Sequence, residues 1–312
     1  MFLLIVETML REGGVPLAPK VYIARPDCLD TLYTALFQLQ AQSGLIIVHG
    51  AVGSGKSVLV AEILNDEHLV YSCFPGGIFW LSIGQVDEGQ LLMKMQNLCR
   101  WLDGDNEFSV PQNLEEARDR TRLLFSHQHP RSLLVLDDLW NESDVKYFDA
   151  RVRTVVTTRF AGIADNLTGF VHKVEVTEKL SKLHSRKLMS LWTNIPVNSL
   201  PPEADHLIEE CGRLPLVISM FGSLLKGHAN RWEYYLKQLR DMKISKVKSK
   251  VQYQYPSLYQ AISVSFDSLP DDVMKSKYEM LAIFQTGERI PAEVLSVFWD
   301  EDVSVYVMAL IL

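Results

Sequence analysis

Gly50-Ala51-Val52-Gly53-Ser54-Gly55-Lys56-Ser57 decides how this chain is read, because each fixed position of the stretch suits a phosphate-binding task. The glycines let backbone N–H groups turn inward around an anion, forming a cradle that side chains would block. Lys56 sets a positive charge between β- and γ-phosphates, and the Ser57 hydroxyl offers one coordination site to Mg2+. A helix starting at Val58 and running to residue 64 would aim its positive dipole end at the same anion. Just upstream, Leu45-Ile46-Ile47-Val48-His49 is short and nearly all apolar, as a buried parallel strand should be. The order of strand, glycine loop and helix separates a phosphate cradle from an incidental Gly/Ser turn.

Working outward, four more apolar, β-branched runs follow at 78–83, 132–137, 153–157 and 172–176. Helical patterns alternate with them: Leu91, Leu92, Met95, Leu98 and Leu102 fall at three- and four-residue spacing, as do Ala117, Thr121, Leu124 and Phe125. Strands alternating with helices predict a five-stranded parallel sheet covered on both faces. Ligands of such sheets bind beyond the carboxyl ends of the strands. Leu133-Leu134-Val135-Leu136-Asp137-Asp138 ends there in two carboxylates, about eighty residues after Lys56. Beside a phosphate loop, Asp137 is the expected Mg2+ ligand together with Ser57. Asp138 is placed to orient or deprotonate an attacking water, the one candidate catalytic group. Val155-Val156-Thr157-Thr158-Arg159 would deliver an arginine near the γ-phosphate, where its fork of donors can report the phosphate's presence. A surface arginine at a strand end is the plain alternative.

Composition is ordinary for a globular chain of 312 residues, with 47% hydrophobic and 22% charged residues, and the length calls for two or three domains. A formal net charge of −7 argues against a nucleic-acid-wrapping surface, and the four lysines within 243–250 read as a solvated linker. Cys28, Cys73, Cys99 and Cys211 show no C-x-x-C pairing, which suits free thiols in a reducing compartment. Met1-Phe2-Leu3-Leu4-Ile5-Val6 meets Glu7 and lacks a basic leader, so it reads as neither signal peptide nor membrane anchor. A cytoplasmic protein is expected. After Val176 strand signals stop and helical stretches take over at 179–192, 202–211, 215–225 and 231–240. Pro202 with Glu203 and Asp205 makes a good helix start, and Gly212-Arg213-Leu214-Pro215-Leu216 reads the same way without any ligand. Tyr255-Pro256 marks a boundary, and breaks at Leu269-Pro270-Asp271-Asp272 and Ile290-Pro291 divide the helical remainder. The apolar run at 303–312 has no polar cap and needs a surface to bury against.

Taken together these elements resemble the NB-ARC class of STAND ATPases, a branch of the AAA+ superfamily, and within it the members that build a caspase-activating platform. Glu12-Gly13-Gly14-Val15-Pro16, the 50–57 loop with Val58-Leu59, Cys73-Phe74-Pro75-Gly76-Gly77 and Asp137-Asp138-Leu139-Trp140 carry the likeness. So does Asn230-Arg231-Trp232-Glu233-Tyr234-Tyr235-Leu236-Lys237-Gln238-Leu239, which no generic ATPase requires. The resemblance runs from about Glu7 onward. It implies a linker at 1–20, an α/β P-loop NTPase domain of AAA+-like fold at 21–178, a small α-helical domain at 179–256 and a truncated winged-helix domain at 257–312. It also implies that Val21, Ile23 and Arg25 flank the adenine, that Pro215 packs on the base, and that Arg159 is a sensor of the phosphates. The cofactors it implies are ADP or ATP/dATP with Mg2+. The function it implies is a nucleotide switch that controls assembly of subunits into a ring. Initiator procaspase and cytochrome c would engage through a recruitment domain and WD repeats that this chain lacks, with no membrane or nucleic acid involved. Arg213 stands where the class has a glycine, costing on the order of 1 kcal/mol if that position needs positive φ, unless Gly212 takes the turn. Asp138 stands where fast AAA+ enzymes have glutamate, so hydrolysis is at most slow. A turnover ATPase acting on a client and an NB-ARC innate-immune receptor fragment share these motifs. The missing Walker-B glutamate weighs against the first, the wording of 230–239 against the second.

Overall fold

A strand covered on both faces must be apolar on both, and all five apolar runs fold as strands of one sheet. These are β1 (Gly44–His49), β2 (Ile78–Gly84), β3 (Leu133–Leu139), β4 (Arg153–Thr158) and β5 (Val171–Glu175). All pairings are parallel, in the order β2-β3-β4-β1-β5. The computed structural model describes residues 2–17, 19–41, 43–104, 110–148, 152–165, 169–177, 179–228, 230–247, 262–263, 266–267, 269, 271–283 and 290–299. The chain divides into two units, Met1–Val264 and Ser265–Leu312.

Alternation along each strand sorts the core into two layers. Ile46 and Val48 of β1 join Val135 and Val155 on one face, under α1 (Phe2–Glu12), α2 (Pro26–Ala41), α3 (Lys56–Ile63) and α4 (Glu67–Cys73). Leu45 and Ile47 join Leu134, Leu136 and Val156 on the other, under α5 (Glu88–Asp103) and α6 (Leu114–His127). Local chemistry starts these helices: Asp87 and Gln90 form a capping box for α5, and the Asn113 side chain accepts from the Glu116 N–H at the head of α6. α2 and α4 go beyond the expected elements, although Leu32, Ala35, Leu36 and Leu39 of α2 fall at helical spacing and are fully buried. Residues 1–20, expected as a linker, contain α1, whose Val6 lies in the core. The turn after α1 covers the edge of β2: the Trp80 N–H donates to the Gly13 carbonyl at 2.8 Å. A Cβ at Gly13 would lie 2.0 Å from the Ile78 carbonyl oxygen, so only glycine fits there.

A short helix α7 (Glu142–Val145) follows β3, and after β5 the chain is helical: α8 (Lys182–Thr193), α9 (Pro202–Glu210), α10 (Pro215–Leu225) and α11 (Trp232–Val247). Their shared core includes Met189, Leu207, Ile218, Phe221 and Tyr235. In the second unit Asp271 caps α12 (Asp272–Met280), and α13 (Ala292–Trp299) starts after Pro291, so both expected breaks open helices. The 303–312 run, Tyr255-Pro256 and the last lysines of 243–250 lie outside the described residues. Among the described residues no helix is long and apolar enough to cross a membrane. None of the four cysteines is in a disulfide among the described residues.

Ile46 sits fully buried on the central strand. Ile46→Ala is expected to destabilise the first unit by about 2–5 kcal/mol through lost burial and a cavity. A lowered urea midpoint with an unchanged slope would show it.

Candidate functional site

The loop between β1 and α3 is held from below by backbone. The Gly50 N–H donates to the Thr158 carbonyl at 3.3 Å, and a Cβ at Gly50 would meet the Val176 carbonyl oxygen at 2.4 Å. Gly53 and Gly55 take φ of +73° and +93°, which open the loop where an L side chain would be strained. α3 begins at Lys56, two residues before Val58, so Lys56 and Ser57 lie in its first turn with their N–H groups free of intrahelical partners. Lys56 is only 8% exposed and donates from Nζ to the carbonyls of Gly50 (3.0 Å) and Ala51 (2.9 Å). Burial pushes its ammonium pKa below the ordinary lysine range, partly offset by Asp138 and Asp137. Val52 is half-buried beside Ala51. Ser54 is fully buried, and its Oγ has no hydrogen-bond partner among the described residues. An orphaned hydroxyl and a glycine-shaped cradle beside a buried cation fit a phosphate group.

The paired acids reach the loop through an irregularity in β3. Leu136 pairs with Val156 and Leu139 with Thr158, so Asp137 and Asp138 together oppose Thr157 alone. Such a bulge re-aims side chains. Here it puts Asp138 at φ +56°, and the Asp138 N–H is taken up by Thr157 Oγ1 at 2.8 Å. The same Thr157 hydroxyl donates to Asp137 Oδ1 at 2.5 Å, and Ser57 Oγ donates to that oxygen at 2.6 Å. Burial pushes the Asp137 carboxyl up from the ordinary range, against the pull of those two hydrogen bonds. Asp138 accepts from Trp140 Nε1 at 3.0 Å and lies 3.8 Å from Arg159 Nε. Lys56, Ser57, Asp137, Asp138 and Arg159 therefore converge at one end of the sheet. Thr157 and Trp140 belong to the same network; residue types alone assigned neither a role, although Trp140 stands in the stretch that carries the family likeness, because the bulge that brings Thr157 to both acids shows only in the strand register.

The helical region meets the loop directly. Pro215 opens α10 at its first position, and the next residue, Leu216, donates its N–H to the Gly53 carbonyl at 3.3 Å. A Cβ at Gly53 would sit 3.0 Å from Leu216 Cβ. Gly212 and Arg213 both take positive φ, 63° and 56°, so the turn before Pro215 uses the glycine and strains the arginine as well. The Arg213 carbonyl accepts from the Leu180 N–H at 3.0 Å. Val21 and Ile23 pack against the core of α8–α11. Arg25 donates from Nη1 to the Thr177 carbonyl at 2.9 Å, just beyond β5, and burial lowers its pKa. Between them, burial and hydrogen bonding to Glu62 of α3 push the Tyr22 phenol above its ordinary range. The 21–25 segment thus runs between the helical region and the loop helix.

Among the described residues no three His, Cys, Asp or Glu side chains gather as a metal cage. Mg2+ needs none: one or two carboxylates, a hydroxyl, waters and phosphate oxygens suffice. Ser57 and Asp137 form such a pair, so the donor set fits that ion.

Five parallel strands in this order, a glycine loop after β1 and paired acids on β3 define a P-loop NTPase fold of AAA+-like kind followed by helices. The chain belongs to the NB-ARC family: residues 25–194 match the NB-ARC domain. Over 297 residues it is 41% identical to apoptotic protease-activating factor 1 of Homo sapiens, covering 95% of this chain and 24% of that protein. The protein of the same name from Danio rerio is 37% identical over 298 residues, covering 94% of this chain and 24% of the relative. The chain thus spans about a quarter of the length of these relatives. Its fold is similar to that of a STAND protein with a tetratricopeptide repeat sensor from Pyrococcus horikoshii. That likeness has a TM-score of 0.56 and 14% identity, covering 95% of this chain and 40% of the other.

Asp137→Asn keeps an acceptor for Ser57 and Thr157 while removing a buried charge. The parent's folded carboxyl titrates above its unfolded value, so its ionisation weakens folding once pH exceeds the ordinary aspartate range. In chelator-treated buffer the variant is expected to melt higher than the parent at pH 7. The advantage should shrink as pH falls through the raised folded value toward the ordinary aspartate range, and be gone below about 4.

Proposed function

We propose that this chain is a nucleotide-responsive switch module that controls assembly of subunits into an apoptosome-like, caspase-activating platform. The observation that carries the reading is the contact of α10 with the phosphate loop, Leu216 N–H to Gly53 carbonyl, beside converging Lys56, Asp137 and Arg159. A helical lid that touches the loop itself makes different contacts when the loop holds a di- or triphosphate, and a ligand shifts a two-state equilibrium only through such differential contacts.

In this reading ADP or ATP/dATP lies across Gly50, Ala51, Val52, Gly53, Ser54, Gly55, Lys56, Ser57 and Val58. Val21, Ile23, Arg25 and Pro215 flank the base. Lys56 exchanges its carbonyl partners for phosphate oxygens, and Ser57 and Asp137 hold Mg2+, which neutralises phosphate charge. Arg159 reads the terminal phosphate. Asp138 orients water, and its short side chain, shared with Trp140 and Arg159, supports slow turnover at most. The domains are a nucleotide-binding domain at 21–178, against whose core the helix of residues 1–20 packs, a helical domain at 179–256 and a winged-helix domain at 257–312. The setting is the cytoplasm. Self-association into a ring is the output of the switch, and procaspase and cytochrome c would meet portions of the longer relatives outside this span.

Lys56→Ala removes a charge-assisted phosphate contact and is expected to weaken nucleotide binding about 10- to 100-fold. Sedimentation with Mg2+ and ATP or ADP should show the parent's mass responding to the nucleotide and the variant's not responding. A variant that binds nucleotide and self-associates like the parent would sink the proposal. Phosphate release at about 1 s−1 or faster would instead favour a turnover ATPase.

A further inference from the structure

We propose that Trp140 is a positioning residue that presents Arg159 to the terminal phosphate, an inference that rests on the nucleotide-binding reading above. The Arg159 guanidinium carbon lies 3.8 Å from the centroid of the Trp140 ring, a close cation–π contact. The same indole donates from Nε1 to Asp138 Oδ2 at 3.0 Å, and Asp138 Oδ1 faces Arg159 Nε at 3.8 Å. One side chain therefore fixes the plane of the guanidinium through its face and the carboxylate beside it through its edge.

The geometry leaves the useful part of the arginine open. Its Nε side is turned to Asp138 and one face to the indole, while Nη1 and Nη2 donate to no described residue. Those are the donors that form a bidentate pair with a phosphate. An arginine free in solution loses rotamer freedom when it engages a ligand, whereas one already stacked loses less. Lys56 and Ser57 serve the phosphates common to ADP and ATP. The stacked arginine, at the end of β4 next to the paired acids, serves the terminal one. Trp140 thereby sets the preference for triphosphate over diphosphate without touching either.

Calorimetric titration of the stripped 312-residue chain with Mg2+ plus ADP, and with Mg2+ plus a non-hydrolysable ATP analogue, tests this. Trp140→Leu should weaken the analogue about fivefold or more, in keeping with a desolvated cation–π contact, and leave ADP unchanged. Trp140→Phe keeps a ring face and should restore most of the preference. In an Arg159→Ala background Trp140→Leu should have no further effect, because the cycle then lacks the partner. Arg159→Lys, which cannot offer a planar fork, should lose the preference as Trp140→Leu does, and Trp140→Met, which keeps an apolar side chain without a ring face, carries the test if the leucine variant fails to fold. Equal weakening of both nucleotides by Trp140→Leu, or an undiminished effect without Arg159, would overturn the inference alone. A parent chain that binds neither nucleotide would overturn the function reading and this one together.

Discussion

One carboxylate oxygen, Oδ1 of Asp137, accepts from Ser57 at 2.6 Å and from Thr157 at 2.5 Å. It thereby joins the first turn of α3, the end of β3 and the end of β4 at a point. A serine hydroxyl that gives its proton to this carboxylate keeps lone pairs for a cation, so the same bond that fixes the loop leaves a metal position available. Burial works against the arrangement by raising the Asp137 pKa, and the two hydroxyl donors work for it. Under the proposed function, the need for charge beside phosphate accounts for keeping an ionisable group where an apolar one would pack with less cost.

From that point the rest of the site follows by connection. The bulge that doubles Asp137 and Asp138 against Thr157 turns the second acid toward Trp140 and Arg159. The loop whose helix carries Ser57 also receives the Leu216 N–H from α10 on its far side, at Gly53. Gly53 has no side chain to hold Leu216 away, and its φ of +73° is one that glycine takes freely. Changes at the acids and changes at the helical region therefore meet in eight consecutive residues, 50–57. The two sites need no long path between them, only a loop with two sets of contacts.

The sheet was legible because parallel strands with helices on both faces are apolar on both, and 44–49, 78–84, 133–139 and 153–158 have almost no other reading, whereas the edge strand 171–175, with His172, Lys173 and Glu175, buries only Val174. The loop and the acids were legible because their residue types have few other uses together. What escaped depends on geometry that residue type does not specify. Thr157 sits in an ordinary apolar run, and only the bulge opposite makes its hydroxyl a partner of both acids. Trp140 stands in the stretch that carries the family likeness, but its role beside Arg159 shows only in their 3.8 Å separation. α2 carries a first-position proline and a helical apolar stripe, but Pro26 follows a segment whose reading as an adenine flank came from resemblance. Arg213 posed an alternative, glycine or arginine in the left-handed turn, that the backbone resolves by using both.

The most direct test of the central claim is to purify the chain, denature it, and identify any released nucleotide by chromatography. A closed module held by the α10 contact on the loop should release close to one equivalent of ADP. Preparations that release no nucleotide, and that take up none when Mg2+ and ADP are added back, would contradict the account.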